Sequence, residues 1–373
     1  MTERFKNQNA PFSVEWTHRL RFTTNAFSGN SPLTDIISEL NPVKIIVFID
    51  DGVLNTNPSI KPSIREWAKQ TNVSCCDTIS IAGGEHAKNS FEEVKKILKA
   101  INDNKLCRKS CILVIGGGAV LDAVGFAASI AHRGIPLVRM PSTTLSACDS
   151  GLGVKNGMNY FGKKNFLGMF DPPYAVINDL SLLQTLEKRH WIAGLSEAVK
   201  VSLIKDRSLF ENIESVQKEL LARDASSMNE IVAESARLHM NHITNSGDPF
   251  EKLEIRPLDF GHWSAHKLEQ LTNYAITHGE AVAIGVALDT TCSKLLGHLD
   301  GEICSRIVSL LQSLELPTMH SELRNEDLLH GLDEFREHIG GQLTLLMLKD
   351  IGKSIEIHEL DSKIIRQAID ELM

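Results

Sequence analysis

The chain has 373 residues, of which 42 % are hydrophobic and 23 % charged, an ordinary globular composition with enough length for two hydrophobic cores. Its net charge of −8 argues against nucleic acid or an anionic membrane as a partner, because both require a surplus of basic residues. There is no run of 18 apolar residues, no signal-peptide pattern at the start and no disulfide or zinc-finger spacing among the seven cysteines, which favours a cytoplasmic protein with reduced thiols.

The first half of the chain alternates predicted strands with predicted helices. Periods of two, continuous apolar runs and turn residues identify the strands, and an apolar stripe with a Ser90–Glu93 capping box identifies the first clear helix. In chain order, we predict strands at 12–23 and 44–49, a helix from 90, a strand at 111–115, a helix at 119–130 and a strand at 136–140. Strand–helix–strand units at this spacing indicate a parallel sheet.

The second half carries helical periodicity almost throughout. The predicted helical segments are 182–221, 229–242, 262–271, 280–296, 302–314 and 364–372. We therefore predict an α/β nucleotide-binding domain over 1–178 and an all-α domain over 179–373, and the cleft between two such domains is the expected place for a site.

A glycine-rich turn follows the strand at 111–115. Gly116, Gly117 and Gly118 let a phosphate approach the backbone at the start of the next helix, whose free N–H groups favour an anion. The spacing is not Gly-x-Gly-x-x-Gly, so the dinucleotide fingerprint is absent, and a tight turn without a ligand stays an alternative. A second loop, 83–88, is similar but could equally be a solvated turn.

The segment 140–168 is rich in glycine, hydroxyl, amide and lysine side chains. A long polar loop in a compact domain is usually functional, and Lys155, Lys164 and Asn165 are donors suited to a phosphate. A solvated surface loop is the alternative.

Four residues of the second half are candidate metal ligands. His262 and His266 lie four apart and share a helix face, while Glu197 and His278 are distant in sequence. A catalytic zinc takes three protein ligands and keeps one position open, so by spacing any three of the four could serve. With 14 histidines in the chain, surface or core histidines are the alternative.

Four motifs together resemble the sugar-phosphate cyclases of the dehydroquinate synthase type. They are Pro-Ser-Thr-Thr-Leu at 141–145 with Asp-Ser-Gly-Leu-Gly-Val-Lys at 149–155, Gly-Leu-Ser-Glu-Ala-Val-Lys at 194–200, Asp-Phe-Gly-His-Trp-Ser-Ala-His at 259–266, and His-Gly-Glu at 278–280. They occur in the family's order over roughly residues 81–296.

The resemblance implies a role for each candidate. Glu197, His262 and His278 match the family's metal positions, for Zn²⁺ or Co²⁺. The residues matched to catalytic positions are Lys155, Asn165, Lys200, His266 and Asp149. Those matched to substrate-binding positions are Arg133, Lys164, His239, Arg256 and Asp259. Those matched to NAD-contacting positions are Asp50, Glu85, Lys88, Gly116, Gly117, Gly118, Asp122, Thr143, Thr144, Asp179 and Thr185.

The family's activity is then the expected function. A phosphorylated sugar would become a carbocycle through transient NAD-dependent oxidation, phosphate elimination, reduction and an intramolecular aldol step, in a protein that is usually a homodimer. The rival expectations are a metal-dependent polyol or glycerol dehydrogenase, for which the lysine-rich loop would be superfluous, and a non-catalytic NAD-binding relative, in which ligands would have been lost.

Three departures concern the substrate. His239 stands where dehydroquinate synthases carry a lysine, Asp259 where they carry an asparagine, and Arg-Glu-His at 336–338 replaces a lysine pair. Epi-valiolone synthases tend to lack the histidine at position 266. The runs Phe-Gly-Lys-Lys-Asn-Phe-Leu-Gly at 161–168 and Arg-Pro-Leu-Asp-Phe-Gly-His at 256–262 resemble instead a dehydroquinate-synthase-like side branch of bacterial gene clusters, the Ebo type.

Overall fold

The computed structural model describes residues 9–251 and 256–373, without the side chains of residues 338 and 339. Its strands are β1 (Leu20–Thr23), β2 (Ile45–Asp50), β3 (Cys75–Ile81), β4 (Cys111–Gly116), β5 (Leu137–Pro141), β6 (Lys155–Tyr160), β7 (Lys163–Phe170), β8 (Ala175–Asp179), β9 (Leu345–Asp350) and β10 (Lys353–Ile357). The helices of the first half are α1 (Pro32–Leu40), α2 (Asp51–Thr56), α3 (Ile60–Gln70), α4 (His86–Asn89), α5 (Phe91–Asp103) and α6 (Gly118–Ile130). Those of the second half are α7 (Lys188–Ala193), α8 (Leu195–Lys205), α9 (Arg207–Ser215), α10 (Gln217–Leu221), α11 (Ala225–Asn245), α12 (His262–Leu271), α13 (His278–Leu295), α14 (Gly301–Ser313), α15 (His330–Ile339) and α16 (Ser362–Leu372).

Six strands form one parallel sheet in the order β1-β8-β5-β4-β2-β3. Alternate residues of β2 face opposite sides: Phe48 packs among the residues of α5 and α6, and Val47 among those of α1 and α3. The continuous apolar runs at 44–49 and 111–115 are explained by this double cover, since both faces of a central strand are buried. The predicted parallel α/β sheet is therefore confirmed.

The second half packs helices around its own core. The central helices α8 and α13 are buried over most of their length, and Trp191 and Phe210 fill the space between their neighbours. The helical prediction is confirmed with one addition, because β9 and β10 form an antiparallel hairpin that packs against α13. Ser293 of α13 accepts a hydrogen bond from the Leu348 N–H of β9 at 2.9 Å. The boundary between 178 and 179, next to the end of β8, stays a prediction.

Two local predictions were wrong in part. The strand predicted at 12–23 is β1 only, because β8 is the single neighbour of β1 and pairs with just those four residues. Residues 9–19 form no strand, and Phe12, Val14 and Trp16 are exposed despite their alternation. The second half of the segment predicted as a polar loop, from Lys155 onward, folds into the antiparallel hairpin β6–β7.

The helix predicted to start at Ser90 does so, with a simpler cap than expected. Ser90 Oγ accepts a hydrogen bond from the Glu92 N–H at 3.1 Å, and Glu93 pairs with Lys96 at 3.5 Å. The reciprocal capping box occurs instead at the start of α13, between Thr277 and Glu280. Within the described ranges no helix combines the length and the apolar character needed to cross a membrane.

Candidate functional site

The carboxyl ends of the central strands carry the predicted nucleotide-binding residues. β2 ends at Asp50, β4 at Gly116 and β5 at Pro141, just before Thr143 and Thr144. In an open parallel sheet, ligands bind in the crevice at this edge. The prediction thus concentrates its NAD-contacting residues where the topology provides a crevice.

Neighbouring side chains leave little room for a Cβ atom at the glycines of this edge. A Cβ atom on Gly83 would lie 2.5 Å from Asp50 Oδ1, and one on Gly118 would lie 2.5 Å from Ser150 Oγ. A Cβ on Gly116 would meet Val120 at 2.8 Å. Helix α6 begins beside them without a side-chain cap, so its first N–H groups are available to an anion.

A polar network joins α4, α6 and the hairpin. Lys88 is buried, and its Nζ lies 2.5 Å from Asp122 Oδ2 and also contacts Asn165 Oδ1. Asn159 Nδ2 donates to Glu85 Oε1 at 2.7 Å, while its Oδ1 accepts from the Asn165 N–H at 2.9 Å. Glu85, Lys88 and Asp122 are therefore linked through the hairpin to the predicted phosphate-binding residue Asn165.

Thr143, Asp179 and Thr185 have local structural partners. Thr143 Oγ1 accepts a hydrogen bond from the Ser146 N–H at 3.1 Å, whereas the buried hydroxyl of Thr144 has no partner in the described part of the chain. Asp179 accepts from the Ala26 N–H at 2.7 Å and the Ser181 N–H at 3.1 Å. Thr185 accepts from Asn57 Nδ2 at 3.0 Å. Of these, Thr144 has the freest polar group.

Three predicted metal ligands converge from three helices. Glu197 Oε1 lies 3.7 Å from His262 Nε2 and 3.6 Å from His278 Nε2, although the residues are up to 81 positions apart. Glu197 follows the start of α8, His262 is the first residue of α12 and His278 the first of α13. Glu197 Oε1 has no hydrogen-bond partner among the described residues, whereas Oε2 lies 2.5 Å from Lys200 Nζ. A buried carboxylate facing two imidazoles is a suitable donor set for a divalent transition metal.

The electrostatic environment favours neutral imidazoles at this point. Burial, together with the nearby charge of Lys200, holds the pKa of His262 well below its usual range, and burial with Lys164 does the same for His266. A neutral imidazole is the form that binds a metal. Burial and the neighbouring Asp149 raise the pKa of Glu197, which Lys200 opposes.

His266 belongs to the same cluster. The ring nitrogens of His262, His266 and His278 lie within 4.8 Å of one another, and the rings of His266 and His278 are stacked with centroids 5.6 Å apart. Geometry alone therefore permits an all-imidazole set as well as the set with Glu197. The set with Glu197 accounts better for a carboxylate that is 1 % exposed and whose Oε1 has no partner among the described residues except the two imidazoles it faces.

Glu269 was missed by the sequence analysis. Its Oε2 lies 2.9 Å from His278 Nδ1 and its Oε1 lies 2.5 Å from Lys164 Nζ, all in buried surroundings. Burial opposes its charge, but Lys164 and His278 outweigh burial and hold the pKa of Glu269 far below its usual range. A signal was present, because Glu269 is three residues after His266 and seven after His262, on one face of α12.

Asp149 lies in a single turn of π-helix, Ser146–Ser150, closed by a hydrogen bond from the Gly151 N–H to the Ser146 carbonyl at 2.9 Å. Such turns are frequent at functional sites. Asp149 Oδ1 lies 2.9 Å from His239 Nδ1 and 3.5 Å from Lys200 Nζ. Burial opposes the charge of Asp149, yet Lys200 and His239 together place its pKa well below the usual value.

Lys200 links this group to the candidate metal ligands. Its Nζ lies 2.5 Å from Glu197 Oε2, and the lysine is 1 % exposed. Burial opposes the charge, but Asp149 and Glu197 raise the pKa of Lys200 above its ordinary value. Lys200 therefore stays protonated and occupies one oxygen of Glu197, which leaves the other facing the imidazoles.

Arg139 positions the backbone around Lys155 and was also missed. It is fully buried on β5 and donates hydrogen bonds to the carbonyls of Gly153 and Lys155, both at 2.8 Å, and to Asn156 Oδ1 at 2.7 Å. No acidic side chain in the described ranges lies within ion-pair distance of it. In the sequence, an arginine within an apolar strand gives no indication of its partners. Only the fold shows that Arg139 holds residues 153–156.

The predicted substrate-binding cations have acidic partners. Lys155, with a side chain 46 % exposed, pairs with Glu251, whose Oε2 also lies 3.8 Å from Arg256 Nε. Arg256 Nη1 lies 3.9 Å from Asp259 Oδ2. Glu251 gave no signal in the sequence, and it precedes residues 252–255, which lie outside the described ranges.

Two predicted elements lie apart from this cluster. Arg133 follows α6, a 13-residue helix about 20 Å long, so it is exposed at the amino end of β5, opposite the crevice. In α15, Arg336 pairs with Asp333 at 2.9 Å and Glu337 with Lys163 at 2.8 Å, and the side chain of His338 lies outside the described residues. Within a single chain, Arg133 therefore lies away from the candidate site.

Comparison with known proteins agrees with this architecture. Residues 78–193 match the 3-dehydroquinate synthase N-terminal family and residues 194–335 match the 3-dehydroquinate synthase C-terminal family. The chain is 35 % identical over 331 residues to a 3-dehydroquinate synthase of Thermoanaerobacter pseudethanolicus. The aligned region covers 88 % of this chain and 91 % of that protein.

Relatives named for a different product match over a similar share of the chain. A 2-epi-valiolone synthase of Actinosynnema mirum is 30 % identical over 342 residues, covering 90 % of this chain and 88 % of its own. The solved structure of a 2-epi-5-epi-valiolone synthase from Streptomyces hygroscopicus, with NAD⁺ and Zn²⁺ bound, superimposes with a TM-score of 0.90 at 25 % identity, over 98 % of this chain and 99 % of that one. The chain belongs to the 3-dehydroquinate synthase family of sugar-phosphate cyclases.

Proposed function

We propose that this protein is an NAD- and metal-dependent sugar-phosphate cyclase, which converts a phosphorylated ketose or keto-acid sugar to a carbocycle with loss of phosphate. The observation that carries the proposal is the convergence of Glu197, His262 and His278 from three helices. Family membership supports the reaction class. The Ebo-type side branch stays a prediction that rests on the runs 161–168 and 256–262, while His239, Asp259 and residues 336–338 concern the substrate.

Glu197, His262 and His278 would hold Zn²⁺ or Co²⁺. When bound, the metal supplies Lewis-acid polarisation of a substrate oxygen and lowers the pKa of a substrate hydroxyl. The residues fit this group because Glu197 is buried, its Oε1 has no hydrogen-bond partner among the described residues, and both imidazoles turn Nε2 toward that oxygen. His266, at the edge of the same cluster, would contact the substrate.

The crevice at the carboxyl ends of β2, β4 and β5 would hold NAD. When bound, NAD accepts a hydride from a substrate carbon and later returns it, so that the reaction has no net redox change. The residues fit because neighbouring side chains leave little room for a Cβ atom at Gly83, Gly116 and Gly118, and α6 begins there without a side-chain cap. The pyrophosphate would lie at that helix start.

Lys200 and Asp149 would organise the substrate beside the metal ligands. Lys200 is protonated and lies between the carboxylates of Glu197 and Asp149, so it can donate to a substrate hydroxyl but cannot accept a proton from it. His239 Nδ1 contacts the same Asp149 oxygen, Oδ1, at 2.9 Å. This arrangement fixes charge around the reacting carbon before substrate binds, which is a positioning contribution to catalysis.

Lys155 is the best candidate for a phosphate contact. It is half exposed, and its acidic partner Glu251 belongs to the segment between α11 and α12. A phosphate dianion would compete for Lys155 with more charge and more acceptor oxygens than one carboxylate provides. Lys164 has a different position, because its ion pair with Glu269 is buried and commits it to orienting His278.

A homodimer would give Arg133 its predicted role. Arg133 is far from the crevice of its own chain. Separately, one edge of β7 pairs with no other described strand, and β7 exposes Phe166, Met169 and Phe170. An exposed apolar edge strand is a surface suited to pairing with another chain. We propose that a second copy covers this edge and that its Arg133 reaches the crevice. A cytoplasmic location is supported by the seven free cysteines.

One assay separates the cyclase from a polyol dehydrogenase. The protein, loaded with Zn²⁺ and NAD⁺, is mixed with a panel of six- and seven-carbon sugar phosphates, and inorganic phosphate and NADH absorbance are followed together. A cyclase releases phosphate in proportion to product and accumulates no NADH. Accumulation of NADH with an unphosphorylated polyol, and no phosphate release from any sugar phosphate, would overturn the proposal.

A further inference from the structure

Asp289 is a buried carboxylate on α13 that takes part in none of the contacts described so far. Its Oδ2 accepts a hydrogen bond from the Gly261 N–H and its Oδ1 accepts one from Trp263 Nε1, both at 2.9 Å. It is 2 % exposed, and no basic side chain in the described ranges lies within ion-pair distance. Burial raises the pKa of Asp289 to about 7, although both donors oppose the shift.

The two residues that Asp289 holds lie on either side of His262. Gly261 adopts a left-handed conformation with φ of 77°, and a Cβ there would lie 2.7 Å from the Val286 N–H nitrogen. A Cβ on Gly285 would lie 2.0 Å from the Gly261 carbonyl oxygen. The turn before α12 is therefore pressed against α13, and Asp289, one helical turn after Gly285, fixes it by hydrogen bonds.

This turn determines how His262 presents its ring. His262 Nδ1 lies 3.2 Å from the carbonyl oxygen of Phe260, and its Nε2 lies 3.7 Å from Glu197 Oε1. A hydrogen bond at one ring nitrogen sets the tautomer and direction of the other. His278 receives this support directly from the Glu269 carboxylate, whereas His262 receives it from a backbone carbonyl whose position depends on the turn.

We propose that Asp289 is a positioning residue for the metal site: it fixes the turn 260–263, and through the Phe260 carbonyl it keeps His262 Nε2 directed at the ion. The proposal rests on the metal-binding role proposed above for His262. It assigns to Asp289 a function at a site that it does not touch.

A purely structural role for Asp289 is the competing explanation, and α13 offers a matched control. Ser293 is one turn further along the same helix, is fully buried and accepts a hydrogen bond from the Leu348 N–H at 2.9 Å. Ser293 Oγ also donates to the Asp289 carbonyl at 2.7 Å, so Ser293→Ala removes buried polar contacts of α13, one of them to the backbone of Asp289. The Asp289 carboxylate and its bonds to the turn at 260–263 stay in place. Ser293→Ala therefore reports the effect of weakened helix packing alone.

The test measures the Zn²⁺ dissociation constant of each purified protein by competition with a chelator, and the unfolding temperature of the metal-free form. Asp289→Ala should raise the dissociation constant about tenfold, the lower end for loss of an outer-shell partner. Asp289→Asn keeps the acceptor for Trp263 but turns an N–H₂ group toward the Gly261 N–H, so its loss of zinc affinity should be smaller than that of Asp289→Ala. Ser293→Ala should lower the unfolding temperature and leave the dissociation constant unchanged.

The outcomes distinguish this inference from the proposed function. If wild type binds zinc and Asp289→Ala binds it equally well, with only the unfolding temperature reduced, Asp289 is structural and the inference is overturned. If wild type binds no zinc, the proposed metal site itself fails. If Asp289→Ala does not fold, Asp289→Asn provides the same comparison against Ser293→Ala.

Discussion

Replacement of Glu269 by glutamine tests how the buried Lys164–Glu269–His278 group supports the metal site. In wild type, one carboxylate oxygen lies 2.5 Å from Lys164 Nζ and the other 2.9 Å from His278 Nδ1. Glutamine has a single acceptor oxygen, so it cannot serve the lysine and the imidazole together. The substitution should therefore weaken both the orientation of His278 and the burial of Lys164.

The two effects have different magnitudes. Loss of an outer-shell carboxylate typically lowers metal affinity about 10- to 100-fold, or about 1.4–2.7 kcal/mol. Breaking a buried ion pair by removing one partner costs about 3–5 kcal/mol of stability. Glu85 also stabilises the charge of Lys164, so we expect the lower end, about 3 kcal/mol, for the metal-free protein.

Chelator competition measures the zinc affinity, and denaturant unfolding of the metal-free protein measures stability. The matched control is the double variant Lys164→Met with Glu269→Gln, which removes the unpaired charge but not the defect at His278. It should recover most of the stability and none of the affinity. Wild-type zinc affinity in the single variant Glu269→Gln would refute the reasoning.

Three further predictions test separate parts of the account. Lys155→Ala should raise KM for the sugar phosphate and slow phosphate release while NAD affinity, measured by fluorescence titration, stays at the wild-type value; a selective loss of NAD affinity would show that this lysine serves the cofactor. The pKa of Asp289 is raised in the folded state, so as pH rises the unfolded state loses this proton first, and the free energy of unfolding should fall by up to about 4 kcal/mol between about pH 4 and pH 7. Asp289→Asn should reduce this pH dependence in unfolding experiments at several pH values. Equal pH dependence in wild type and variant would contradict the assignment. Arg133→Ala and Glu197→Gln should each be inactive. Mixed dimers of the two variants should regain activity, because one crevice then combines an intact Glu197 with an intact Arg133 from the other copy. No recovery in verified mixed dimers would contradict a shared site.

The sequence predicts those parts of the fold that depend on local periodicity. Helix α12 was predicted at its observed bounds, because His262 begins an amphipathic segment that ends at Leu271. The strand predicted from Phe12 failed beyond β1, because alternation describes a strand only where a neighbouring strand supplies hydrogen bonds. The hairpin β6–β7 was hidden, because Asn156 and Asn159 are buried as partners of Arg139, Glu85 and Asn89 and give the strand a polar composition.

The candidate site shows a similar division. The types and spacing of His262 and His266 indicate metal chemistry, but nothing local relates them to Glu197, which is 65 residues earlier. The choice of Glu197, His262 and His278 came from the family resemblance, and the fold gives it a geometric basis. Glu269 had a partial signal, because it shares a face of α12 with His262 and His266, but its role and that of Asp289 could not be interpreted without the contacts they make.

The central claim is that Glu197, His262 and His278 hold one catalytic metal ion. The most direct measurement is zinc content after gel filtration, taken together with phosphate release, for wild type and for Glu197→Gln, which keeps the shape of the side chain and removes its charge. We predict one zinc per chain and turnover of a sugar phosphate in wild type, and loss of both in a variant that unfolds at a similar temperature in its metal-free form. A Glu197→Gln protein that retains stoichiometric zinc and full phosphate release would contradict the account.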